Sequence, residues 1–239
     1  MSVGGCGSAP RRPTMSASAS PPARRTDAPP AVPGPALAPG QSLVAAARGR
    51  RVAIFGSPRQ QARVRRRLTN PIADGAPLTF LVKQRRHGWL RVYLPVRPNG
   101  STGWIRAGAV ALAVDDYRVR VDLSQHRIAV WRGRDLLDEE PIGVGRAVTP
   151  TPSGRYYIVE LLRPPDPRGL YGPYAFGLSA YSPVLTDFAG GSGEIGIHGT
   201  NFPQGLGTDI SHGCIRMSNA GITRLARLLP LGTPVTIVR

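Results

Sequence analysis

Large apolar residues recur at every second position in short runs along most of this chain. Val52, Ile54 and Phe55 make the first run. Leu78, Phe80 and Val82 make a second, Trp89, Leu90, Val92 and Leu94 a third, and Trp104 with Ile105 a fourth. A period of two places alternate side chains on one face of a sheet, so each run predicts a short strand. Pro95, Pro98, Asn99 and Gly100 supply the turn between the last two. Short strands separated by turns predict a small antiparallel barrel over 48–114. The alternation returns with Val119, Val121 and Leu123, with Ile128 and Val130 beside Trp131, and through Tyr156 to Leu161. Helical spacing follows at Ile222, Leu225 and Leu229, with Ser218 as N-cap and Pro230 as stop. A last strand is predicted from Val235 to Val238. Residues 115–239 therefore predict a mainly β domain with one or two short helices.

Residues 7–47 break the pattern. They are Ala, Pro, Ser, Gly and Arg with almost no large apolar residue, and such a stretch cannot bury enough surface to offset the entropy of ordering it. Residues 1–47 are expected to be a disordered spacer, stiffened by Pro29, Pro30, Pro33, Pro35 and Pro39. Fully extended, it could reach on the order of 100 Å. No apolar run approaches the ~20 residues of a membrane-spanning helix.

Charge sharpens this division. The 239 residues carry 31 Lys+Arg against 14 Asp+Glu, a net +17 that by itself suggests a nucleic-acid binder. The excess is local: residues 48–114 hold 14 basic residues and only Asp74, whereas 115–239 are nearly balanced. Arg63, Arg65, Arg66 and Arg67 read either as a solvated loop or as a patch for a polyanion.

The chemistry concentrates near the C-terminus, where His198, His212 and Cys214 stand among glycines. Nucleophilic catalysis is one use of this set. An imidazole takes the thiol proton, lowers the thiol pKa from about 8.5 and later protonates a leaving amine. His198 can serve if a turn through Pro203, Gly205 and Gly207 returns it to Cys214. His212, two residues from Cys214, is a rival base on spacing alone. Gly213 leaves room for an oxyanion to approach the backbone. A zinc site from the same three residues is a second use, but it lacks a fourth ligand and a paired cysteine. With only two cysteines, no disulfide framework exists.

His198-Gly199-Thr200-Asn201 and Ser211-His212-Gly213-Cys214-Ile215-Arg216-Met217 resemble the signature of L,D-transpeptidases, as do Thr149 to Gly154 and Ile195-Gly196-Ile197. The resemblance covers about 116–239. It implies Cys214 as nucleophile and His198 as general base and acid, oriented by the carbonyl of Gly199. It implies that His212 and backbone amides near Cys214 shape the oxyanion environment, with Ser211 and Gly213 in the same turn. Arg216 is expected to hold a substrate carboxylate or order the loop, Thr200 to face substrate, and Tyr181 to be the lid aromatic near the base. The implied substrates are peptidoglycan tetrapeptide stems, joined 3→3 with release of D-Ala. No metal or organic cofactor is implied, and carbapenems acylate this family's cysteine. Hydrolysis by the same fold, an L,D-carboxypeptidase, is the alternative, and a non-catalytic wall-binding protein is another. A cysteine peptidase of another fold would need a His after Cys214, and none follows.

Two further resemblances concern the first half. Gly88-Trp89-Leu90-Arg91-Val92 with Gly103-Trp104-Ile105 is similar to bacterial SH3-like domains. Trp89 and Trp104 are expected to pack in its core or to form a ligand platform. Val3-Gly4-Gly5-Cys6 resembles the lipobox of bacterial lipoproteins, which implies a lipid on Cys6. The five residues before Cys6 do not hold the apolar stretch of a signal peptide, so an incidental tail cysteine is the competing expectation. The combined expectation is an extracytoplasmic protein at the cell wall or the outer face of the cytoplasmic membrane. Its Arg-rich module would meet anionic envelope polymers rather than nucleic acid.

Overall fold

A computed structural model of the chain describes residues 36–187 and 191–239. Cys6 and most of the expected spacer lie outside the described residues. The alternating runs of the first half form a seven-stranded antiparallel sheet. Its strands are β1 (Ser42–Ala47), β2 (Arg51–Phe55), β3 (Val64–Thr69), β4 (Thr79–Arg86), β5 (Trp89–Tyr93), β6 (Thr102–Arg106) and β7 (Val110–Asp115). Their spatial order is β3-β2-β6-β5-β4-β1-β7. Val52, Ile54, Phe80, Leu90, Val92 and Ile105 fill its core.

Two expectations are corrected here. Strand β1 lies inside the segment read as a spacer, so the sheet begins before residue 48. Its small apolar side chains suffice because the strand is flanked by β4 and β7, and Leu43, Val44 and Ala45 are buried. Arg65, Arg66 and Arg67 lie on β3, an edge strand, and not in a loop. All three are exposed, and charge on an edge discourages pairing with another chain. Trp89 and Trp104 are buried with Phe55 in a small cluster, as packing requires.

The second half is an eight-stranded mixed sheet with one α-helix. In chain order come β8 (Tyr117–Asp122), β9 (Arg127–Arg132), β10 (Asp135–Pro141), β11 (Val144–Gly145), β12 (Gly154–Leu162), β13 (Ala175–Tyr181), β14 (Glu194–His198), β15 (Asp209–Ser211), β16 (Ile215–Arg216), α1 (Asn219–Leu228) and β17 (Pro234–Val238). The spatial order is β10-β9-β8-β17-β12-β13-β14-β16, with β11 and β15 as a separate parallel pair. Ser218 caps α1 by accepting the N–H of Gly221 at 2.9 Å, and the helix buries Ile222 and Leu225 against the sheet. Parallel pairing of β14 with β16 sets Ile197 opposite Ile215 and His198 opposite Arg216. On its outer side, Arg216 exchanges two 2.8 Å main-chain hydrogen bonds with Gly143.

Both sheets belong to one compact unit, Ala31–Arg239. They meet at Asp115, which ends β7 and is buried. Its carboxylate accepts from the Thr233 hydroxyl at 2.7 Å and from the Tyr117 N–H at 2.9 Å. Among the described residues no helix is long and apolar enough to cross a membrane.

Candidate active site

Alternation along β14 decides which residues reach the site. Ile195 and Ile197 enter the core, so Glu194, Gly196 and His198 take the opposite face. On the neighbouring strand Ile215 is buried in the core, which leaves Cys214 and Arg216 on the face of His198. The N–H of Gly196 points at Cys214 Sγ, 3.4 Å away. Cys214 and His198 both line two adjoining cavities. The larger, ≈ 860 Å³, is also lined by Tyr171, Tyr181, Glu160 and Glu194. The smaller, ≈ 270 Å³, is also lined by Ser211, His212, Arg216 and Tyr171.

Electrostatics leave this pair uncharged at rest. His198 is 3% exposed, and burial pulls its pKa down to about 4, against a small opposing effect of the Gly199 carbonyl. Burial pushes the Cys214 thiol up, partly offset by the Gly196 N–H and by the Arg216 charge. A neutral imidazole beside a neutral thiol can accept its proton when an electrophile arrives. His198 Nδ1 lies 2.6 Å from the Gly199 carbonyl, which fixes the ring and makes Nδ1 the protonated nitrogen. Nε2 is then the basic nitrogen.

The turn before the thiol is held by the Thr149–Thr151 loop. Thr151 donates its hydroxyl to the Gly213 carbonyl at 2.8 Å and accepts the Gly145 N–H at 2.9 Å. Thr149 donates to the Ser211 carbonyl at 3.4 Å. Ser211 Oγ donates to the Cys214 carbonyl at 2.6 Å and accepts the Gly213 N–H at 3.0 Å. Gly213 has φ +125°, a backbone conformation that L side chains rarely adopt. These bonds hold the turn around Gly213 that sets Cys214 at the cavities.

Most sequence-predicted residues converge here. His212 is exposed at the rim of the smaller cavity. Arg216 lines that cavity too, with a buried Nε that has no hydrogen-bond partner. Thr200 is a correction: it is 3% exposed and lines neither cavity. Its hydroxyl accepts the Phe202 N–H at 3.0 Å and its N–H goes to Asn219 Oδ1 at 2.8 Å, so it shapes the loop after His198. Tyr181 lines the larger cavity, but its hydroxyl is spent on the Pro95 carbonyl at 2.9 Å. The ring that packs on His198 is Tyr171, with centroids 4.9 Å apart. Its position 27 residues before His198 gave no sequence signal. Among the described residues no group of three or more His, Cys, Asp or Glu could hold a metal ion.

The floor of the larger cavity was also missed. Across β12, β13 and β14, Glu160, Gly177 and Gly196 stand in register. A Cβ on Gly177 would collide with the Glu160 carboxylate. The Glu160 carboxylate therefore lies over Gly177, and Gly196 stands between it and Cys214. Burial, then Asp74 and Glu194 nearby, raises the Glu160 pKa to about 7.

Comparison with known proteins finds relatives of the second half of the chain. The family model YkuD, described as an L,D-transpeptidase catalytic domain, matches residues 116–237. The YkuD protein of Bacillus licheniformis is 37% identical over 121 residues, 51% of this chain and 65% of that protein. Its Bacillus subtilis counterpart is 35% identical over 123 residues, 52% of this chain and 66% of that protein. The match thus spans a little under two thirds of these relatives. A solved L,D-transpeptidase from Mycobacterium smegmatis is 16% identical with a TM-score of 0.42, covering 63% of this chain and 90% of that one.

Proposed function

Because the chain belongs to the YkuD family of L,D-transpeptidase catalytic domains, we propose that it transfers acyl groups between peptidoglycan stem peptides through Cys214. The observation that supports this best is the pair of neutral groups, half-buried Cys214 and buried His198, opening onto the same two cavities. In this reading His198 Nε2 takes the thiol proton as Sγ attacks the carbonyl carbon between the third stem residue and the terminal D-Ala. The C–S bond forms and the oxyanion is held by main-chain amides near Cys214, with His212 at the rim. The Gly213 N–H is already donated to Ser211, so the Cys214 amide is the nearer donor. The C–N bond then breaks, and His198 returns its proton to the departing D-Ala amine. The side-chain amine of a second stem attacks the thioester, loses a proton to His198 and forms the 3→3 amide, and Cys214 is released as the thiol. No step calls for a metal or organic cofactor.

Arg216 fits a stem carboxylate, because it lines the smaller cavity and its Nε has no hydrogen-bond partner. The first sheet is proposed to be the SH3-like module of an extracytoplasmic enzyme, at the cell wall or the outer face of the cytoplasmic membrane. Lipidation of Cys6 belongs to the same proposal. Incubation of the full chain with a tetrapeptide stem and mass spectrometry of the products tests the reaction. Free D-Ala with a cross-linked dimer, both absent for Cys214→Ala, is the expected result. D-Ala with tripeptide alone would assign the L,D-carboxypeptidase instead. Intact substrate would overturn the proposal.

A further inference from the structure

The first sheet touches the second at a place that matters for the site. Its turn between β5 and β6 reaches the connection that leads from β13 into β14. Arg97 directs three N–H donors at main-chain carbonyls there: Nη1 to Ser182 at 2.7 Å, Nη2 to Leu185 at 2.9 Å and Nη2 to Ser192 at 2.9 Å. Asn99 makes a reciprocal pair with Tyr181, donating to its carbonyl at 2.8 Å and accepting its N–H at 2.9 Å. The Tyr181 hydroxyl adds a bond to the Pro95 carbonyl, and the Arg97 guanidinium lies 5.0 Å over the Tyr181 ring. The Ser182 N–H closes back on the Gly193 carbonyl at 2.8 Å.

These contacts gather both ends of one connection. Ser182 and Leu185 follow β13, and Ser192 precedes β14. Ser182, Leu185, Gly193 and Glu194 then form one wall of the smaller cavity, opposite Arg216 and His212. Glu194 opens the strand that carries Gly196 to the sulfur and His198 to its place. A planar fork with fixed donors suits three converging carbonyls; an ammonium, a compact point charge, does not reproduce that geometry.

We propose that Arg97, supported by Asn99, is a positioning residue for substrate binding, so that the first sheet builds one wall of the active site. The inference extends the function proposed above to a residue outside the matched domain. Because the wall binds and does not react, its loss falls on KM more than on kcat. Misplacement at a distance from the chemistry costs on the order of 10- to 100-fold in kcat/KM.

The test is D-Ala release by full-length Arg97→Ala, Arg97→Lys and Asn99→Ala, with melting temperature and alkylation of Cys214 by iodoacetamide read by peptide mass. Arg97→Ala is expected to raise KM about tenfold while kcat stays within about threefold. Arg97→Lys should recover part of that loss, and Asn99→Ala should move the same way by less. Alkylation of Cys214 should quicken in Arg97→Ala at unchanged melting temperature. An unchanged KM, or a KM change that appears only with a fallen melting temperature, overturns the proposal. If Arg97→Ala does not fold, Asn99→Ala decides by the same criteria. Failure of the wild type to release D-Ala would strike the function proposed above, and the alkylation rates would still decide the positioning role. Equal rates in wild type and Arg97→Ala would then refute it.

Discussion

The two sheets of this protein are built from the same alternation and put it to different ends. In the first, 14 basic residues stand against one acidic residue over 48–114, and three of them stand exposed on the edge strand β3. In the second, charge is nearly balanced, and the face opposite the core carries a thiol, an imidazole and two bare glycines. Apolar periodicity makes a sheet in both cases. Chemistry arises where the second sheet gives up side chains: Gly177 makes room for the Glu160 carboxylate, and Gly196 brings its N–H up to the sulfur. The first sheet contributes through a turn, with Arg97 and Asn99, and not through a face.

Removing the chemistry should break the contrast most sharply. Cys214→Ala should lower D-Ala release from a tetrapeptide stem by on the order of a thousandfold or more, measured by chromatography of the products. Core truncations should erase it, because both cores obey the same packing physics. Ile197→Ala and Ile54→Ala, each at 3% exposure or less, should each cost about 2–5 kcal/mol in urea unfolding.

The pH dependence of stability should sharpen the contrast. His198 has its pKa lowered from 6.5 to about 4, so its contribution is full above pH 6.5 and is lost as pH falls toward 4. About 3 kcal/mol should disappear over that window, and His198→Gln should flatten it. Glu160 has the opposite sign. Its pKa is raised from 4.5 to about 7, so its contribution is full below pH 4.5 and is lost as pH rises through 7. Glu160→Gln should remove that fall in unfolding experiments across the neutral range.

The smallest effect on catalysis is expected at the arginines of β3. Replacing Arg65, Arg66 and Arg67 together by Ser should leave stability within about 0.5 kcal/mol. Turnover of a soluble stem should not change. Retention on an anionic envelope polymer, measured across salt concentrations, should weaken. Retention indifferent to both salt and the substitution would remove the polymer from the partners of this sheet.

Strands dense in Val and Ile were legible in the sequence, as β8, β9 and β17 show, because burial alone demands that pattern. Strands that owe their form to neighbours were not. Strand β3 is half arginine, β10 is acidic and largely exposed, and β1 is short and Ala-rich. Each is completed by ladder bonds to a partner that local sequence does not name. The site divides likewise. His198, Ser211 and Cys214 sit in two continuous motifs and could be read directly. Tyr171, Glu160 and Arg97 act across the fold, through contacts that exist only once the sheets are assembled. Thr200 was misplaced for a related reason: a residue beside a functional histidine can face inward to brace the loop.

The bond pair between Gly143 and Arg216 has a consequence for ligand design. It occupies the outer rim of the strand next to the thiol, so no visiting peptide can dock there as one more strand of the sheet. Compounds that imitate an extended strand would find no ladder to join beside Cys214. Those that lie crosswise in the larger cavity would approach the sulfur over the backbone of Gly196, meeting the Glu160 carboxylate above Gly177 on the way.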